Sequence, residues 1–589
     1  MLPTDQPGSS GAITKRTDNA LVAYFSMEIG LDPGMPTYAG GLGVLAGDTI
    51  RSAADLEIPM VAVTLLHRRG YFYQRLDEHG WQHEEPVAWP INDFCKPVEQ
   101  RVTVEIEGRT VHVGAWQIRV RGESSGEVPV YLLDTDVSEN QPWDRTLTDV
   151  LYGGDDHYRL CQEMVLGVGG FRLLRALGYQ AIRRFHMNEG HAALLVLALG
   201  DEKLASRNWS DSISNEMIEA IREQCVFTTH TPVPAGHDKF PETLARQVLG
   251  DRWWSILKAC GVGETLNLTQ LALRGARYVN GVAMRHGEVS HSLFPGYPIH
   301  SITNGVHAVT WAAPSFHTLY DRHLPDWRRD QLSLRYAISI PAQEIWNAHV
   351  AAKQALVDYV NRETNAGFDR DVLTIGFARR AAAYKRGALI FHDTERLARI
   401  AEQTGPLQIV FSGKAHPRDQ NGKDMIHKVH ELRDILRGRI SVAYLTNYDM
   451  TLAKLLCAGA DVWLNTPLPP MEASGTSGMK AAVNGVPSLS VLDGWWIEGH
   501  VEGVTGWSIG DRVEACTEPQ AGMDACHAEE LYRKLEEKIL PCFYRNREGF
   551  IEIMRHAISL NGGFFNTQRM VAQYLHNAYR LVGEYARLA

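Results

Sequence analysis

Five short apolar runs in the second half of the chain decide the fold: VLTIGFA (372–378), LQIVFSG (407–413), ISVAYL (440–445), VWLN (462–465) and SLSVLD (488–493). They are rich in Val, Ile and Leu, and helical patterns such as DMIHKVHELRDIL and MTLAKLLCAGA lie between them. Apolar strands that alternate with helices are typical of a doubly wound parallel sheet, because helices then cover both faces. We therefore predict such a sheet for this half.

The first half of the chain shows the same alternation in a less regular form. Strands are predicted at LVAYFS (21–26), PMVAVTLL (59–66), IRRFHMN (182–188), CVFTTHTPV (225–233) and HSITNGVH (300–307), and further strands with turns up to about residue 135. We predict an α/β fold with two doubly wound, Rossmann-like domains that face each other across a cleft. Ligands then bind at the carboxyl ends of the strands.

A chain of 589 residues is too long for one hydrophobic core. We expect a flexible leader at 1–19, an N-terminal Rossmann-like domain at 20–310 and a C-terminal Rossmann-like domain at 311–555. The last stretch, 556–589, contains an amphipathic pattern. It is predicted to form a helix that packs back across both domains.

Charge and hydropathy exclude several classes of protein. The net charge is −10, from 59 Lys+Arg against 69 Asp+Glu, and a general nucleic-acid binder needs a basic face instead. No run of about 18 apolar residues occurs, so no membrane-spanning helix is predicted. The first twenty residues lack the apolar core of a secretion signal. We expect a cytoplasmic protein that binds neither nucleic acid nor membrane.

The eight cysteines form no C-x-x-C pair. Scattered thiols in such a chain are expected to be reduced. The nearest approach to a metal-ligand set is Cys516 with Cys526 and His527. It lacks the fourth ligand of a tetrahedral zinc site, so we predict no metal.

The segment Glu472-Ala-Ser-Gly-Thr-Ser-Gly-Met-Lys480 carries the strongest chemical signal. It follows a predicted strand and opens a helix, and its small residues let backbone N–H groups approach an anion. We place Lys480 in the first helical turn, where the helix dipole disfavours a cation unless an anionic ligand or imine formation compensates. Residue types alone equally allow a flexible loop with a solvated lysine.

The longer string EASGTSGMKAAVNGV closely resembles the cofactor-lysine segment of the α-glucan (glycogen, starch and maltodextrin) phosphorylases. The resemblance implies that Lys480 holds pyridoxal 5′-phosphate as a Schiff base. It makes 311–555 the pyridoxal-phosphate domain and 20–310 the glucan- and phosphate-binding domain. The positions that it assigns to sugar, phosphate and cofactor are Glu472, Ser474, Gly475 and Thr476. Ser477 and Gly478 stand where animal-type members carry Gly-Asn, so the resemblance is to a short, divergent bacterial branch.

A second segment, FARRAAAYKR (377–386), places four cations within eight residues just after a predicted strand. A solvated helix end would explain them without function. The segment resembles the stretch of the phosphorylases that holds the cofactor phosphate and the substrate phosphate. The resemblance assigns Arg379 to the cofactor and makes Arg380 and Lys385 catalytic. Arg379 replaces a lysine of many members, and its planar fork is not equivalent to a point charge.

A glycine-rich loop, YAGGLGVLAGD (38–48), follows the first strand. Alone, it fits a nucleotide fingerprint or a plain turn equally well. It resembles the phosphorylase loop whose amides reach the substrate phosphate, which assigns Gly40 and Gly41 to substrate, with Gly43 also matching. Ala39 stands where animal-type enzymes have Asn.

Other matches follow in the family's order along the chain. His230 in FTTHTP resembles a catalytic histidine that contacts the sugar, although a lone histidine at a strand end is more often structural. Asn304 in ITNGV corresponds to a sugar-binding asparagine, and Tyr448 in YLTNYD to an aromatic residue beside the cofactor. His191 in MNEGHA is expected to support the site. Trp495-Trp496 fits either a sugar-stacking surface or the core.

The resemblance implies retaining phosphorolysis of terminal α-1,4-glucosyl units to α-glucose 1-phosphate. In this family the cofactor's 5′-phosphate acts through the substrate phosphate, which protonates the leaving oxygen and then attacks the anomeric carbon. Glu472 is then a catalytic residue that binds sugar hydroxyls, and no second carboxylate is evident to make a glycosidase pair. The partners are an α-glucan or maltodextrin and inorganic phosphate, and a homo-oligomer stays open.

Two other classes of function are weighed against this one. A nucleotide-sugar glucan synthase of the same fold would need no lysine after SGTSG, and pyridoxal absorbance distinguishes it. A glucan-binding or regulatory protein descended from a phosphorylase would need neither the lysine nor the cations and glycines. Release of glucose 1-phosphate decides that case.

Overall fold

The computed structural model describes residues 20–207, 214–232, 236–259, 261–510 and 520–581. The predicted leader 1–19, Cys260 and Cys516 lie outside them. The strands are β1 (Val22–Ser26), β2 (Met60–Leu65), β3 (Tyr73–Leu76), β4 (Gln82–Glu85), β5 (Lys96–Ile106), β6 (Arg109–Arg121), β7 (Glu127–Asp134), β8 (Arg184–Asn188), β9 (Cys225–Thr228), β10 (Lys239–Pro241), β11 (Thr265–Asn267), β12 (Tyr278–Gly281), β13 (His300–Ser301), β14 (Leu373–Ala378), β15 (Leu407–Ser412), β16 (Ser441–Leu445), β17 (Val462–Asn465), β18 (Ser488–Val491) and β19 (Gly506–Ile509).

The α-helices connect and cover these strands. They are α1 (Gly41–Asp55), α2 (Ile91–Phe94), α3 (Asp156–Met164), α4 (Gly170–Ala176), α5 (Leu195–Arg207), α6 (Asn215–Arg222), α7 (Glu242–Leu249), α8 (Asp251–Ala259), α9 (Leu268–Gly275), α10 (Met284–Leu293), α11 (Ala308–Trp311), α12 (Pro314–His323), α13 (Ala342–Thr364), α14 (Thr394–Gln403), α15 (Gln420–Ile435), α16 (Met450–Gly459), α17 (Thr476–Val483), α18 (Trp496–Gly499), α19 (Gln520–Lys534), α20 (Leu540–Arg545), α21 (Arg547–His556) and α22 (Thr567–Gln573). No helix in the described part of the chain combines the length and apolar character needed to cross a membrane.

The smaller sheet has the order β16-β15-β14-β17-β18-β19, and all its strand pairs are parallel. Its first five strands in chain order are the five predicted ones, and β19 extends the edge. Strands β14, β15, β17 and β18 are buried along their whole length. Helices therefore cover both faces, as unbroken apolar runs require.

The larger sheet is mixed, which corrects the prediction of a purely doubly wound first half. Its order is β13-β12-β9-β8-β1-β2-β7-β6-β5. The strands from β13 to β7 are parallel, but β6 pairs antiparallel with both β7 and β5. The long strands β5 and β6 are partly exposed, which fits antiparallel pairing because antiparallel sheets tolerate one solvent-exposed face. Strand β12 was not predicted from the sequence.

Side chains of β1 show that both faces of the larger sheet are packed. Ala23 and Phe25 belong to one apolar cluster with α4 and α5 side chains, whereas Val22 and Tyr24 belong to another. The second cluster includes Tyr574 and Tyr579 from the C-terminal segment. Strand β1 is fully buried, and its side chains point alternately into the two apolar clusters on either face of the larger sheet.

The C-terminal segment packs on the larger sheet. Thr567 Oγ1 lies 2.6 Å from Ser52 Oγ on α1, and Tyr579 Oη lies 2.7 Å from His186 Nδ1 on β8. The helix continues past α22 as a π-helical turn to Tyr579, and Arg580 adopts a left-handed φ of 55°. It therefore ends earlier than the helix predicted over residues 556–589, of which 582–589 lie outside the described residues.

The hairpin β3–β4 reaches from the first half to the loops after β15. Gln74 Nε2 donates to Gly413 O at 2.8 Å, and Gln82 Nε2 donates to Ala415 O at 2.9 Å. Both glutamine side chains are buried. These hydrogen bonds join parts of the chain more than 300 residues apart in sequence, at separations of 339 and 333.

The described cysteines differ in state. Cys95, Cys161, Cys225, Cys457 and Cys542 are free thiols. Cys526 is disulfide-bonded, so the expectation of reduced thiols is wrong for this residue.

A buried ion cluster ties α13 to the smaller sheet. Asp461 accepts hydrogen bonds from Lys353 Nζ at 2.5 Å, from His349 Nε2 at 2.8 Å and from the backbone N–H of Thr374 at 2.7 Å. Burial alone would raise the pKa of Asp461, but the Lys353 charge and these hydrogen bonds lower it below the ordinary aspartate value. Asp461 and Lys353 are both buried, so removing either charge would leave the other without a counter-ion and would cost stability.

We expect Asp461→Asn to destabilise the protein by about 3–5 kcal/mol at pH 7, because it leaves the Lys353 ammonium buried and unpaired. The folded-state pKa of Asp461 is depressed, so its contribution is present above the unfolded-state value and is lost as pH falls below about 4. The difference in melting temperature between wild type and variant should therefore narrow towards pH 3.

The matched control is Asp434→Asn, because Asp434 is 52% exposed and pairs with Arg437 on the surface. Its melting temperature should stay close to that of the wild type. If the melting temperatures of Asp461→Asn and wild type differed equally at pH 3 and pH 7, the electrostatic explanation would be contradicted.

Candidate active site

Most predicted site residues follow the carboxyl ends of parallel strands. Arg379 and Arg380 follow β14, segment 472–480 follows β17, the glycine loop follows β1, and His191, His230 and Asn304 follow β8, β9 and β13. In each sheet the predicted site residues thus lie together at the carboxyl ends of the strands, which form one edge of the sheet. The charge of Arg380 acts on Glu28, which follows β1, so the two edges lie close together.

Glu472 brings two of the predicted cations together. Its Oε2 lies 2.7 Å from Arg379 Nη2 and 2.6 Å from Lys385 Nζ. All three side chains are buried, at 7–8% exposure. The solvated helix end is therefore excluded for Arg379 and Lys385, because their charges are matched inside the protein rather than by water.

The ionisation of Glu472 follows from this arrangement. Burial alone would raise its pKa, but the charges of Arg379 and Lys385 lower the pKa of Glu472 to about 2. Asp493, whose Oδ2 accepts the Glu472 N–H at 2.8 Å, has its pKa raised to about 6, chiefly by burial. Glu472 is therefore an ionised acceptor at neutral pH and has no proton to donate.

Arg380 is separated from this cluster. Its side chain is exposed, and it forms no ion pair with any residue in the described ranges. Tyr384 lies between it and Lys385, and although burial would raise the Tyr384 pKa, the two positive charges lower it. Arg380 is thus a cation without a protein counter-ion at the edge where the two sheets meet.

Lys480 is buried on α17 against an aromatic ring. The helix begins at Thr476, after Gly475 with a left-handed φ of 89°. Lys480 Nζ lies 3.9 Å from the Trp311 ring centroid, and Trp311 Nε1 donates to Asp48 Oδ2 at 2.7 Å. Burial lowers the pKa of Lys480. This raises the fraction of neutral amine, the form that attacks a carbonyl.

The helical position of Lys480 corrects the sequence prediction. The residue lies in the last turn of α17, not in the first. The helix dipole favours a cation there, so the expected electrostatic conflict is absent. Desolvation, rather than the dipole, perturbs this amine.

Three of the predicted site residues have a buried polar atom without a partner: Arg379 Nη1, Ser474 Oγ and Asn304 Oδ1. A buried polar atom left unsatisfied costs about 1–3 kcal/mol. The guanidinium nitrogen suits an anion, and the hydroxyl and amide oxygens suit hydroxyl groups. The donor set therefore fits a phosphate-bearing cofactor beside Lys480 and a polyhydroxylated ligand beside it.

His230 is fixed by the segment after β8. Its Nε2 lies 2.6 Å from Asn188 Oδ1, and its backbone N–H donates to Glu189 Oε2 at 2.8 Å. Burial lowers the pKa of His230 to about 3 and raises the pKa of Glu189 to about 7. His230 is therefore neutral at pH 7, as suits a hydrogen bond to a sugar hydroxyl.

His191 belongs to a separate buried polar cluster with Glu163 and Asp238, whose ligand atoms lie within 4.8 Å of one another. That spacing would suit a metal ion, but Arg159 already lies 3.4 Å from carboxylate oxygens of both Glu163 and Asp238. The guanidinium supplies the positive charge that a metal would bring. His191 follows Glu189 by two residues, so the cluster lies next to the segment that accepts the His230 N–H.

The glycine loop is held by Glu28, a residue that the sequence did not single out. Glu28 Oε2 accepts the N–H groups of Ala39 at 2.5 Å and Gly40 at 3.3 Å, and Tyr152 Oη donates to Oε1 at 2.9 Å. A Cβ on Gly43 would lie 2.7 Å from Glu28 Oε2, so this position requires glycine. The Gly40 amide assigned to the substrate phosphate is thus shared with a carboxylate.

Two aromatic predictions have different outcomes. Tyr448 is half-buried, and burial raises its pKa. The charge of Arg379 opposes that rise, so the ring lies near the predicted cofactor residues. Trp495 and Trp496 are 1% and 0% exposed and belong to the core, so they offer no face to a sugar. Gly40 and Gly41 have open space at their Cβ positions.

Sequence comparison places the chain among known proteins. A maltodextrin phosphorylase of Thermococcus litoralis is 39% identical, over 95% of this chain and 70% of the relative. The chain belongs to the carbohydrate phosphorylase family. The family's sequence model matches residues 238–527. A glycogen phosphorylase of Mycobacterium tuberculosis is 36% identical over 95% of this chain and 70% of its own, and an uncharacterized protein of Methanocaldococcus jannaschii is 31% identical over 95% and 99%.

Glu28→Gln should weaken phosphate binding by about tenfold, because charge-assisted hydrogen bonds to the loop amides are worth about 1.5–3 kcal/mol. The side chain keeps its shape, so the melting temperature should change little. The measurement is the phosphate concentration for half-maximal rate. Glu78→Gln, at a position 87% exposed, is the control. A large fall in melting temperature with an unchanged phosphate requirement would make Glu28 purely structural.

Proposed function

We propose that this carbohydrate phosphorylase is an α-glucan phosphorylase, which transfers the terminal α-1,4-linked glucosyl unit to inorganic phosphate and releases α-glucose 1-phosphate. The observation that carries the proposal is the buried Glu472 carboxylate between Arg379 and Lys385, with a further Arg379 nitrogen left unpaired. The cofactor phosphate and the substrate phosphate would lie side by side, and two neighbouring anions need several cations in an otherwise acidic chain. The relatives named as maltodextrin and glycogen phosphorylases support the substrate class.

We further propose that the two sheets form the facing domains of a glycosyltransferase of the GT-B type, with boundaries near residues 310 and 555. The convergence of Arg380 and Glu28 from different sheets supports this arrangement. So does the Met450 N–H, which donates to Tyr38 Oη at 2.9 Å across the two halves.

Pyridoxal 5′-phosphate is the cofactor that these residues fit. Lys480 would hold it covalently, with Arg379 and Thr476 near its phosphate and Tyr448 beside its ring. When bound, the cofactor supplies a phosphate group that exchanges a proton with the substrate phosphate. The buried amine with a lowered pKa and the unpaired Arg379 nitrogen are the observations that support this fit.

Arg380 and Lys385 would bind and orient the substrate phosphate. Arg380 carries no protein counter-ion among the described residues, so it is available to an anion from solvent. The phosphate stands on the face that the leaving sugar oxygen vacates, which gives retention at the anomeric carbon. Electrostatic stabilisation of this kind needs preorganised charges, and burial of Lys385 holds its ammonium in place.

The terminal glucose would be held by Glu472, His230 and Asn304, with Ser474 and Gly475 at its edge. Asn304 Oδ1 is buried without a partner, so it can accept a sugar hydroxyl. Ionised Glu472 accepts hydroxyl hydrogens and cannot act as the general acid of a glycosidase. Asp493 is poorly suited to that role, because its pKa of about 6 leaves it mostly ionised at pH 7 and the N–H groups at both its oxygens favour the ionised form.

Lys480 should carry the cofactor. Borohydride reduction of the freshly purified protein should leave a pyridoxyl group on the peptide that contains Met479 and Lys480, read by mass spectrometry. Lys480→Arg should show neither label nor pyridoxal absorbance, whereas Lys428→Arg, at a position 53% exposed, should show both. Label on another lysine, or protein free of pyridoxal, would reject the cofactor assignment and favour the nucleotide-sugar synthase.

Phosphorolysis of a maltodextrin should give α-glucose 1-phosphate only when phosphate is present. Glu472→Gln should lower the turnover rate by at least about tenfold, since it removes charge-assisted hydrogen bonds of about 1.5–3 kcal/mol. Glu431→Gln, at a position 48% exposed, is the control and should react normally. Formation of the β-anomer, or of glucose without phosphate, would reject the mechanism, and absence of any phosphorolysis would favour a glucan-binding protein.

A further inference from the structure

A second cationic site lies at the edge of the larger sheet opposite the candidate active site. The amino ends of β8, β9, β12 and β13 and the end of the C-terminal helical segment line a cavity of about 70 Å³. Its charged and aromatic lining residues are Arg184, Glu223, Arg277, Tyr278, His300 and Arg580. Five separate segments of the chain therefore contribute to it.

The cavity has more cations than carboxylates. Glu223 is its single acidic lining residue, and it pairs with Arg277. Arg184 Nη1 donates to the Arg183 carbonyl at 2.9 Å, and neither Arg184 nor Arg580 forms an ion pair within the described ranges. Burial and the charges of Arg277 and Arg580 lower the pKa of Arg184 in spite of Glu223. An acidic chain thus gathers guanidinium groups that repel one another.

We infer that this cavity binds the dianionic phosphoryl group of a phosphate monoester. Guanidinium forks match phosphate oxygens in geometry and charge. A water needs about 10–15 Å³ of such space, so the cavity admits a tetrahedral oxyanion together with part of its substituent. Tyr278 and His300 stack at 4.7 Å with an interplanar angle of 8°, which provides a flat wall for the organic part.

The site is distinct from the proposed catalytic one. Arg184 begins β8, whereas Asn188 ends it beside Glu189, and Cys225 begins β9, which ends two residues before His230. Strands of four or five residues span about 13–17 Å. The cavity and the proposed catalytic residues therefore lie at opposite ends of the same two strands, and a failure of the proposed function would leave this inference intact.

The test is calorimetric titration of the holoenzyme with glycerol 2-phosphate and, separately, with inorganic phosphate, each against chloride at matched ionic strength. Four variants are compared with wild type: the double variant Arg184→Gln/Arg277→Gln, Glu223→Gln, Lys385→Ala and the surface control Arg437→Gln, at a position 77% exposed. Melting temperatures without ligand monitor the fold of each variant.

We expect the double variant to bind glycerol 2-phosphate at least about tenfold more weakly, as loss of charge-assisted hydrogen bonds implies. Glu223→Gln should bind it several-fold more tightly, because the competing carboxylate is removed. Arg437→Gln should match wild type, and Lys385→Ala should keep the monoester site while losing any catalytic phosphate site.

Three results would overturn the inference. One is unchanged binding in both the double variant and Glu223→Gln. Another is binding that chloride abolishes at matched ionic strength, which would show ionic screening alone. The third is binding of inorganic phosphate but not of glycerol 2-phosphate at the cavity, which would identify free phosphate as the ligand.

Discussion

The Glu472 carboxylate is the interaction on which the site depends. Arg379 and Lys385 could not both be buried at this edge without a matching negative charge, because an unpaired buried ion costs several kcal/mol. Asp493 in turn holds the Glu472 backbone. Two loops from different strands are thereby fixed against each other before any ligand binds. Catalysis by positioned charges requires such preorganisation, since charges that must move contribute less.

The predicted site residues on the larger sheet are hydrogen-bonding groups rather than cations. His230 is held uncharged by burial, and Glu28 keeps the glycine loop in place through backbone amides. Positive charge is therefore concentrated on the side of the smaller sheet, and hydrogen-bonding groups on the side of the larger. That division suits a reaction between an anionic and a neutral substrate that meet where the two sheets approach each other.

Tertiary contacts decided several points that the local sequence left open or predicted otherwise. The sequence allowed Trp495 and Trp496 either a stacking surface or the core, and both are buried in the core. Lys480 lies in the last helical turn, because the helix begins only at Thr476. The Gly40 amide faces Glu28 as well as the open edge of the loop. In each case a tertiary contact outweighs the local pattern.

The sequence by itself determined the order and type of the strands in the second half, the cation string and the lysine segment. Those signals are local, because side-chain period and motif spacing are read within one stretch of chain. Only the tertiary structure decided that Glu472 pairs with Arg379 and Lys385, 93 and 87 residues away. It also brought together the arginines of the opposite edge. The packing of whole sheets determines such long-range pairs. Local patterns in one sequence therefore do not show which distant residues come into contact.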